Sequence, residues 1–432
     1  MFYLFCTDVS KRELAEIVAH FPTANQSELE PLIKSILQMQ YNPSGKHSVW
    51  STRRTRRLHF YMFLHNMGVD MNDDPFMERW EQKRRIWTMA LYASHLCTGN
   101  TIQGKAIRTD TVKDYLRDVA TFIYCQIDVD PRYEAGKNHL APPIQKVISE
   151  YQRFEKIPNR REPWTVEMQL FLDEMVSALT YDGAEDSMDA AVADFTAFGL
   201  SAGIRRSEWV QPTKKHSGLD QAEVKDKTNI IGAFLPCDWQ FFDVRGRKIS
   251  HDGALLGGLA HIGKLQVTWR TQKNGQNGET KTYLCNLKNP LLCPVARGWN
   301  IMARYQRIMG TTESDTVPLA VYRDGPLDSD RHLLYSDQVT QLVRDVVCDV
   351  LNLDPVKDKE EVSRYSTHSL RVGACQILYA NGFQAHEIKM LLRWQSDAFM
   401  TYLRDIAWVA RKQVDAVNEM ADMAKGIIHP IL

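Results

Sequence analysis

Apolar residues recur at three- and four-residue intervals along most of the chain, the period of helices that each bury one stripe. Leu29, Ile33, Ile36 and Leu37 predict a helix over 27–39, closed by the turn cluster Asn42-Pro43-Ser44-Gly45. Residues 46–61 interleave Trp50, Leu58, Phe60 and Tyr61 with basic residues, giving a helix with an aromatic and a basic side. Residues 74–97 predict a second helix, broken at Thr98-Gly99-Asn100. Val112, Tyr115, Leu116, Val119 and Phe122 predict a third over 110–125, and 143–154 a fourth. Residues 46–154 thus form an all-helical unit, preceded by an extension, 1–45, that carries no functional signal. Prolines 158 and 163 and the polar residues between them interrupt both flanking patterns, so 155–163 is predicted to be a linker.

After the linker, Met168, Leu170, Phe171, Met175 and Leu179 mark one helix, and 189–201 another that Gly203 ends. The period then shortens to two. Residues 239–244 predict a strand turning at Arg245-Gly246-Arg247. Residues 264–272 put Leu265, Val267 and Trp269 on one face. Asn274-Gly275 and Asn277-Gly278 mark a hairpin whose return strand is 280–284. Helices resume at 295–308 and 336–351. Ala374, Ile377 and Leu378 mark another, up to Asn381-Gly382, and Ile388, Leu391 and Leu392 a shorter one. Phe399, Leu403, Ile406, Ala407, Ala410 and Val414 mark a last one, with Tyr402 at the edge of its buried face. The predicted class is mainly α with a small antiparallel β-sheet, 164–432 forming the second domain.

The 432 residues suffice for two or three domains, and a hydrophobic content of 44% asks for no membrane. No apolar run approaches the ~20 residues of a spanning helix. Residues 1–10 lack the basic start and cleavage site of a secretion signal. Eight cysteines without a C-x-x-C pair predict reduced thiols in an intracellular protein. The 53 basic and 53 acidic residues cancel, which excludes a strongly basic histone-like binder. Locally the balance is lopsided: Lys46, Arg53, Arg54, Arg56 and Arg57 have no acid among them. Lys83 and Arg84, Lys105 and Arg108, and the linker pair Arg160 and Arg161 continue the pattern. Such runs are either solvated helix faces or phosphate contacts.

The sharpest signal lies near the C-terminus. His368 stands three residues before Arg371, in T-H-S-L-R-V-G, and Trp394 eight before Tyr402, in R-W-Q-S-D-A-F-M-T-Y-L-R. Far upstream, Gly203-Ile204-Arg205-Arg206-Ser207-Glu208 supplies a second arginine in a G-I-R-x-x-E setting. This ordered set resembles the tyrosine recombinases, the phage-integrase family. The W-x-S-D-A-F-x-x-Y-x-R form looks most like the recombinases of eukaryotic mobile elements, with Trp394 one residue nearer the tyrosine than in the commoner family spacing. The resemblance implies a DNA core-binding domain at 46–154 and a catalytic domain at 164–432.

Cleaving a phosphodiester without a metal needs a nucleophile, a cationic clamp on the non-bridging oxygens and an acid for the leaving oxygen. Tyr402 suits the first role, although Tyr283, Tyr365 and Tyr379 share its residue type. Arg205 and Arg371 suit the second, because a guanidinium fork matches phosphate. Glu208 would hold a neighbouring cation, and His368 would accept or relay the tyrosine proton. Trp394 stands where many family members carry histidine; its indole donates one N–H and moves no proton. The resemblance assigns the acid to a hairpin lysine, Lys273, with Lys264 and Lys281 as rivals. It implies a 3′-phosphotyrosyl intermediate, no metal or other cofactor, double-stranded DNA as partner, assembly of four protomers on it, no membrane, and a nuclear location in a eukaryotic host. An integrase or transposase is expected; the alternatives are a type IB topoisomerase-like strand passer and a DNA-binding relic without turnover.

Overall fold

The computed structural model describes residues 47–69, 74, 76–99, 104–155, 160–212, 232–272, 277–314, 316–323 and 331–403. The helix expected at 27–39, Lys46, Lys273, and the stripe residues from Ile406 onward lie outside them. The chain divides into two compact units, Met1–Pro158 and Asn159–Leu432.

In the first unit, helices α1 (His47–Asn66), α2 (Gln82–Cys97), α3 (Thr109–Ile127) and α4 (Pro142–Arg153) pack on one another. Phe60, Phe63, Tyr92, Leu96, Leu116 and Ile144 are among the buried residues of their common core. The second helix starts eight residues later than its expected beginning at Asp74. The Asp74 carboxylate accepts from the Glu78 and Arg79 amides at 2.7 and 2.9 Å, closing a local turn instead of a helix. Buried Arg85 then pins that turn by donating to the carbonyls of Met77 and Glu78.

The second unit is built around α6 (Met188–Ala202), rich in Ala, Val, Phe and Leu and buried almost throughout, with Asp194 and Thr196 buried among them. Against it pack α5 (Val166–Ser177), α8 (Pro294–Met309) and α11 (Ser369–Ala380). Thr165 and Ser187 cap α5 and α6 by accepting the amides of Met168 and Ala190. Small residues permit the close approaches. A β-carbon on Gly373 of α11 would lie 2.1 Å from the Trp164 carbonyl oxygen.

The sheet comprises β1 (Trp239–Asp243), β2 (Lys248–Ile249), β3 (Ile262–Trp269) and β4 (Glu279–Leu284), antiparallel in the order β2-β1-β3-β4. Leu265 stands between Phe241 and Tyr283 in register, and Leu265, Val267 and Trp269 face the core. Between β2 and β3 the chain forms α7 (His251–Gly257), which its glycines hid from a periodicity reading although Ser250 caps it. A two-stranded ribbon, β5 (Val321–Tyr322) with β6 (His332–Leu333), follows α8. Then come α9 (Ser336–Leu351), α10 (Lys359–Val362), α11 and α12 (Ala385–Leu392).

The region expected to open the last helix is a 3-10 helix, Asp397–Tyr402. Its Phe399 is fully buried with Ala374, Cys375, Ile388 and Leu392, a small core separate from the main one. That core sets Tyr402 against α11.

Buried ion pairs add ties that helical periodicity does not reveal. Arg297 of α8 meets Asp173 of α5 at 2.5 Å and Asp194 of α6 at 2.9 Å, and Arg304 pairs with the same Asp194. Each of these four charges has a partner, which is what buried charge requires.

Candidate active site

Gly203 ends α6 in the left-handed conformation, φ 56°, beside Leu392; a β-carbon there would come within 2.8 Å of the leucine. Just beyond it, Arg205 begins a tight 3-10 turn. Its amide donates to Glu208 Oε2 at 2.8 Å and its Nη1 to Oε1 at 3.0 Å. Arg205 Nη2 donates to the Arg393 carbonyl at 3.2 Å, across 188 positions of sequence. The G-I-R-x-x-E segment is thus a glycine that ends a helix, an arginine, and the carboxylate that holds it.

Arg371 lies on the first turn of α11. It donates to the Gly203 carbonyl at 2.7 Å and to the Leu392 carbonyl at 3.1 Å, and its guanidinium lies over the Trp394 ring, 4.3 Å from the centroid. His368 precedes the same helix, and its Nε2 is 2.8 Å from Tyr402 Oη. The Tyr402 ring meets the His368 and Trp394 rings edge-on at 5.6 and 5.5 Å. Gln376 Nε2 donates to the Tyr402 carbonyl at 3.1 Å, fixing the backbone behind the phenol.

Sequence reasoning treated Arg393 only as the end of a helix. Its guanidinium donates to Glu208 Oε2 and to the Ala202 carbonyl, each at 3.1 Å, and lies 3.7 Å from the centroid of the Trp269 ring. Gln272, at the end of the hairpin strand, also reaches the cluster: its Oε1 is 3.4 Å from Arg205 Nη1, and its Nε2 donates to Glu279 at 3.0 Å. The signal for Arg393 was its position beside Trp394. Nothing local pointed to Gln272.

Arg205 and Arg393 therefore both bond the Glu208 carboxylate, and the Arg371 guanidinium lies close enough to feel all three charges. Burial, then the neighbouring Arg205 and Arg393, depress the Arg371 pKa to about 9, with Glu208 and Tyr402 opposing. Burial foremost, then Arg371, Arg161 and Arg205, push His368 down to about 4, so its imidazole is neutral at pH 7. Burial raises the Tyr402 phenol above its usual range, an effect that Arg371 partly offsets. The Trp394 Nε1 and Arg393 Nε are buried without a protein acceptor. A site with surplus cationic charge, a neutral histidine and a phenol bonded to it can bind an anion and take a proton from the phenol.

Of the rival tyrosines, Tyr283 lies near Arg393 and Glu208, whose charges act on its phenol. Tyr283 packs edge-on against Phe198, and Tyr365 is buried behind α9, its carbonyl accepting from Arg344. Tyr379 borders the small core, half-buried. Of the rival lysines, Lys281 pairs with Glu279 at 2.9 Å and Lys264 lies over the Phe242 ring. Among the described residues no group of three His, Cys, Asp or Glu side chains is arranged to hold a metal ion, and no helix is long and apolar enough to cross a membrane.

The basic candidates divide. Lys83, Arg84, Lys105, Arg108 and Arg161 are exposed, and Arg54 and Arg160 partly so. Arg84 covers the Trp80 ring, Arg108 pairs with Glu155, and Arg161 donates to the Ser363 carbonyl. The acid-free strip expected on α1 is not acid-free in three dimensions. Asp118 of α3 meets Arg56 at 2.5 Å and Arg53 at 3.8 Å, and Asp114 also reaches Arg56. Arg57 departs from the surface position that phosphate contact requires. It is only 6% exposed and lies over the Phe122 ring, because it falls on the face of α1 that packs inward.

No family profile and no curated protein matches the chain. Solved structures do align with it over most of its length. One is the Tn1549 transposon integrase in complex with transposon right-end DNA, at 13% identity and TM-score 0.46, covering 89% of this chain and 98% of that one. The same integrase in complex with circular-intermediate DNA aligns at 12% identity and TM-score 0.42, covering 88% and 97%. XerA recombinase aligns at 11% identity and TM-score 0.29, covering 88% and 95%.

Proposed function

We propose that the chain is a site-specific DNA recombinase, the integrase or transposase of a mobile element, that cuts and rejoins DNA through a tyrosine. The observation that carries the reading is the Tyr402–His368 hydrogen bond of 2.8 Å next to Arg371, itself joined through shared carbonyl segments to Arg205. Nothing about a phenol alone makes it a nucleophile at neutral pH. A neutral imidazole in contact and a cationic surround together do.

Double-stranded DNA enters with its scissile phosphate against Arg205 and Arg371, whose guanidiniums neutralise the non-bridging oxygens. The Trp394 indole N–H donates to one of them. With Nε2 unprotonated, His368 takes the proton of Tyr402 as the phenolic oxygen attacks phosphorus. The P–O bond to the 5′-oxygen breaks, leaving a 3′-phosphotyrosyl ester and an oxygen that takes up a proton, which we assign to Lys273. A 5′-hydroxyl from a second duplex reverses each transfer and releases the tyrosine. The ester conserves the bond energy, so these steps require neither nucleotide hydrolysis nor a metal. Two duplexes imply several protomers on the DNA, four in this scheme. Residues 46–154 would grip the duplex, with Lys83, Arg84, Lys105 and Arg108 as its phosphate contacts.

The test is to incubate the protein and its Tyr402→Phe variant with supercoiled plasmid in EDTA and trap adducts with detergent. The expected result is a protein–DNA adduct and joined products from the wild type, no adduct from the variant, and DNA affinity changed less than about threefold. An adduct from the variant would move the nucleophile to another tyrosine. Relaxation without joined products would make the protein a topoisomerase, and binding without an adduct a relic.

A further inference from the structure

Arg393 occupies a costly position. Its φ of 58° is left-handed, where a β-carbon costs about 1–2 kcal/mol and glycine is the usual occupant. Its side chain is 0% exposed and committed to Glu208, the Ala202 carbonyl and the Trp269 ring. It adds a third positive charge beside two others, and its Nε is left without an acceptor. A residue serving only to end α12 would be glycine or asparagine.

The hydrogen bonds show what the arginine secures. Its side chain holds the Ala202 carbonyl and Glu208, both in the segment after α6. Its own carbonyl accepts from Arg205, and the carbonyl before it, on Leu392, accepts from Arg371. The second arm of Arg371 returns to the Gly203 carbonyl. Segments 202–208 and 392–393 are therefore laced in both directions, each presenting carbonyls to guanidiniums on the other or on α11. The left-handed turn aims two successive carbonyls at the two arginines, and the Arg393 side chain keeps that turn seated over Trp269.

We propose that Arg393 is a positioning residue that sets the guanidiniums of Arg205 and Arg371 in register for one phosphate. The inference rests on the reading of those two arginines as a phosphate clamp.

The experiment uses the full chain and a duplex that the wild type selects from a randomised pool, with its cut position mapped. Two versions are compared, one with an ordinary phosphate at the cut and one with a neutral methylphosphonate. Arg393→Gly keeps the left-handed turn and removes the side chain. Its single-turnover adduct formation on the ordinary duplex is expected to fall about 100-fold, with Kd within about threefold. On the methylphosphonate, which has one non-bridging oxygen and no charge to clamp, the loss is expected to shrink below about tenfold. Arg393→Lys, which cannot reach Ala202 and Glu208 with a rigid fork, is expected to behave alike and serves if the glycine variant does not fold. Equal losses on the two duplexes would overturn the proposal in favour of a purely structural ion pair. An unimpaired variant would overturn it too. A wild type that forms no adduct would instead refute the clamp reading itself, and this inference with it.

Discussion

Protonating His368 is the most direct way to test the electrostatics of the site. In the fold its pKa is about 4, because burial and the charges of Arg371, Arg161 and Arg205 disfavour an imidazolium. Unfolded, it returns to about 6.5. A depressed folded pKa means that the unfolded chain takes the proton first, so the stability contribution is whole above pH 6.5 and drains away as the pH falls toward 4. The full shift corresponds to about 3 kcal/mol, of which about 2 kcal/mol is lost between pH 7 and pH 5. Asp173 and Asp238, whose carboxyls burial holds above their ordinary value, act in the opposite sense on acidification. The measurement is therefore a difference: urea unfolding of the wild type and of His368→Gln at both pH values. Glutamine cannot titrate, so the wild type is expected to lose about 2 kcal/mol more than the variant on acidification. Equal losses in the two proteins, or an NMR titration placing His368 above pH 6, would refute the account of a histidine held neutral by its cationic surroundings.

Two further outcomes are expected. Arg371→Lys keeps the charge but loses the fork that spans the Gly203 and Leu392 carbonyls, so adduct formation should fall about 100- to 1000-fold with DNA affinity nearly unchanged, as read by single-turnover trapping and equilibrium binding. Gly373→Ala would place a methyl group 2.1 Å from the Trp164 carbonyl oxygen and should destabilise the second unit by about 3 kcal/mol in denaturant unfolding.

What the sequence disclosed follows from which interactions are local. Helix α6 was legible because near-complete burial demands a mostly apolar segment, which Gly203 then ends, and β3 because one buried face imposes alternation. The later start of α2 was hidden because Asp74 caps a turn by bonds that compete with a helix, which a stripe of apolar residues does not register. In the candidate site, Arg205, His368, Arg371, Trp394 and Tyr402 stood out through their order and spacing. Arg393 did not, since its partner Glu208 lies 185 positions away and its backbone conformation belongs to the folded chain alone. For the same reason the acids that meet Arg53 and Arg56 could not be anticipated from the acid-free stretch around them: they arrive from α3 by tertiary packing.

The cation cluster also bears on how the site and the fold depend on each other. Buried like charges repel, and Arg371 and Arg393 are both pushed toward the neutral form by burial. Glu208 compensates them most directly, bonded to both Arg205 and Arg393, and Glu279 adds a second negative charge near Arg393. Among the described residues Arg371 has no carboxylate partner of its own; it is held by two carbonyl dipoles and an indole face. Dipoles orient a guanidinium without cancelling its charge. Arg371 is therefore fixed in direction by carbonyls rather than by an ion pair among the described residues. In the proposed reaction a phosphodiester drawn there would gain a charge-assisted contact without first breaking an ion pair, and would need no reorganisation of the arginine that receives it. The bonds that settle the turns at 203 and 393 are thus the same bonds that would leave one positive charge available to the proposed reaction.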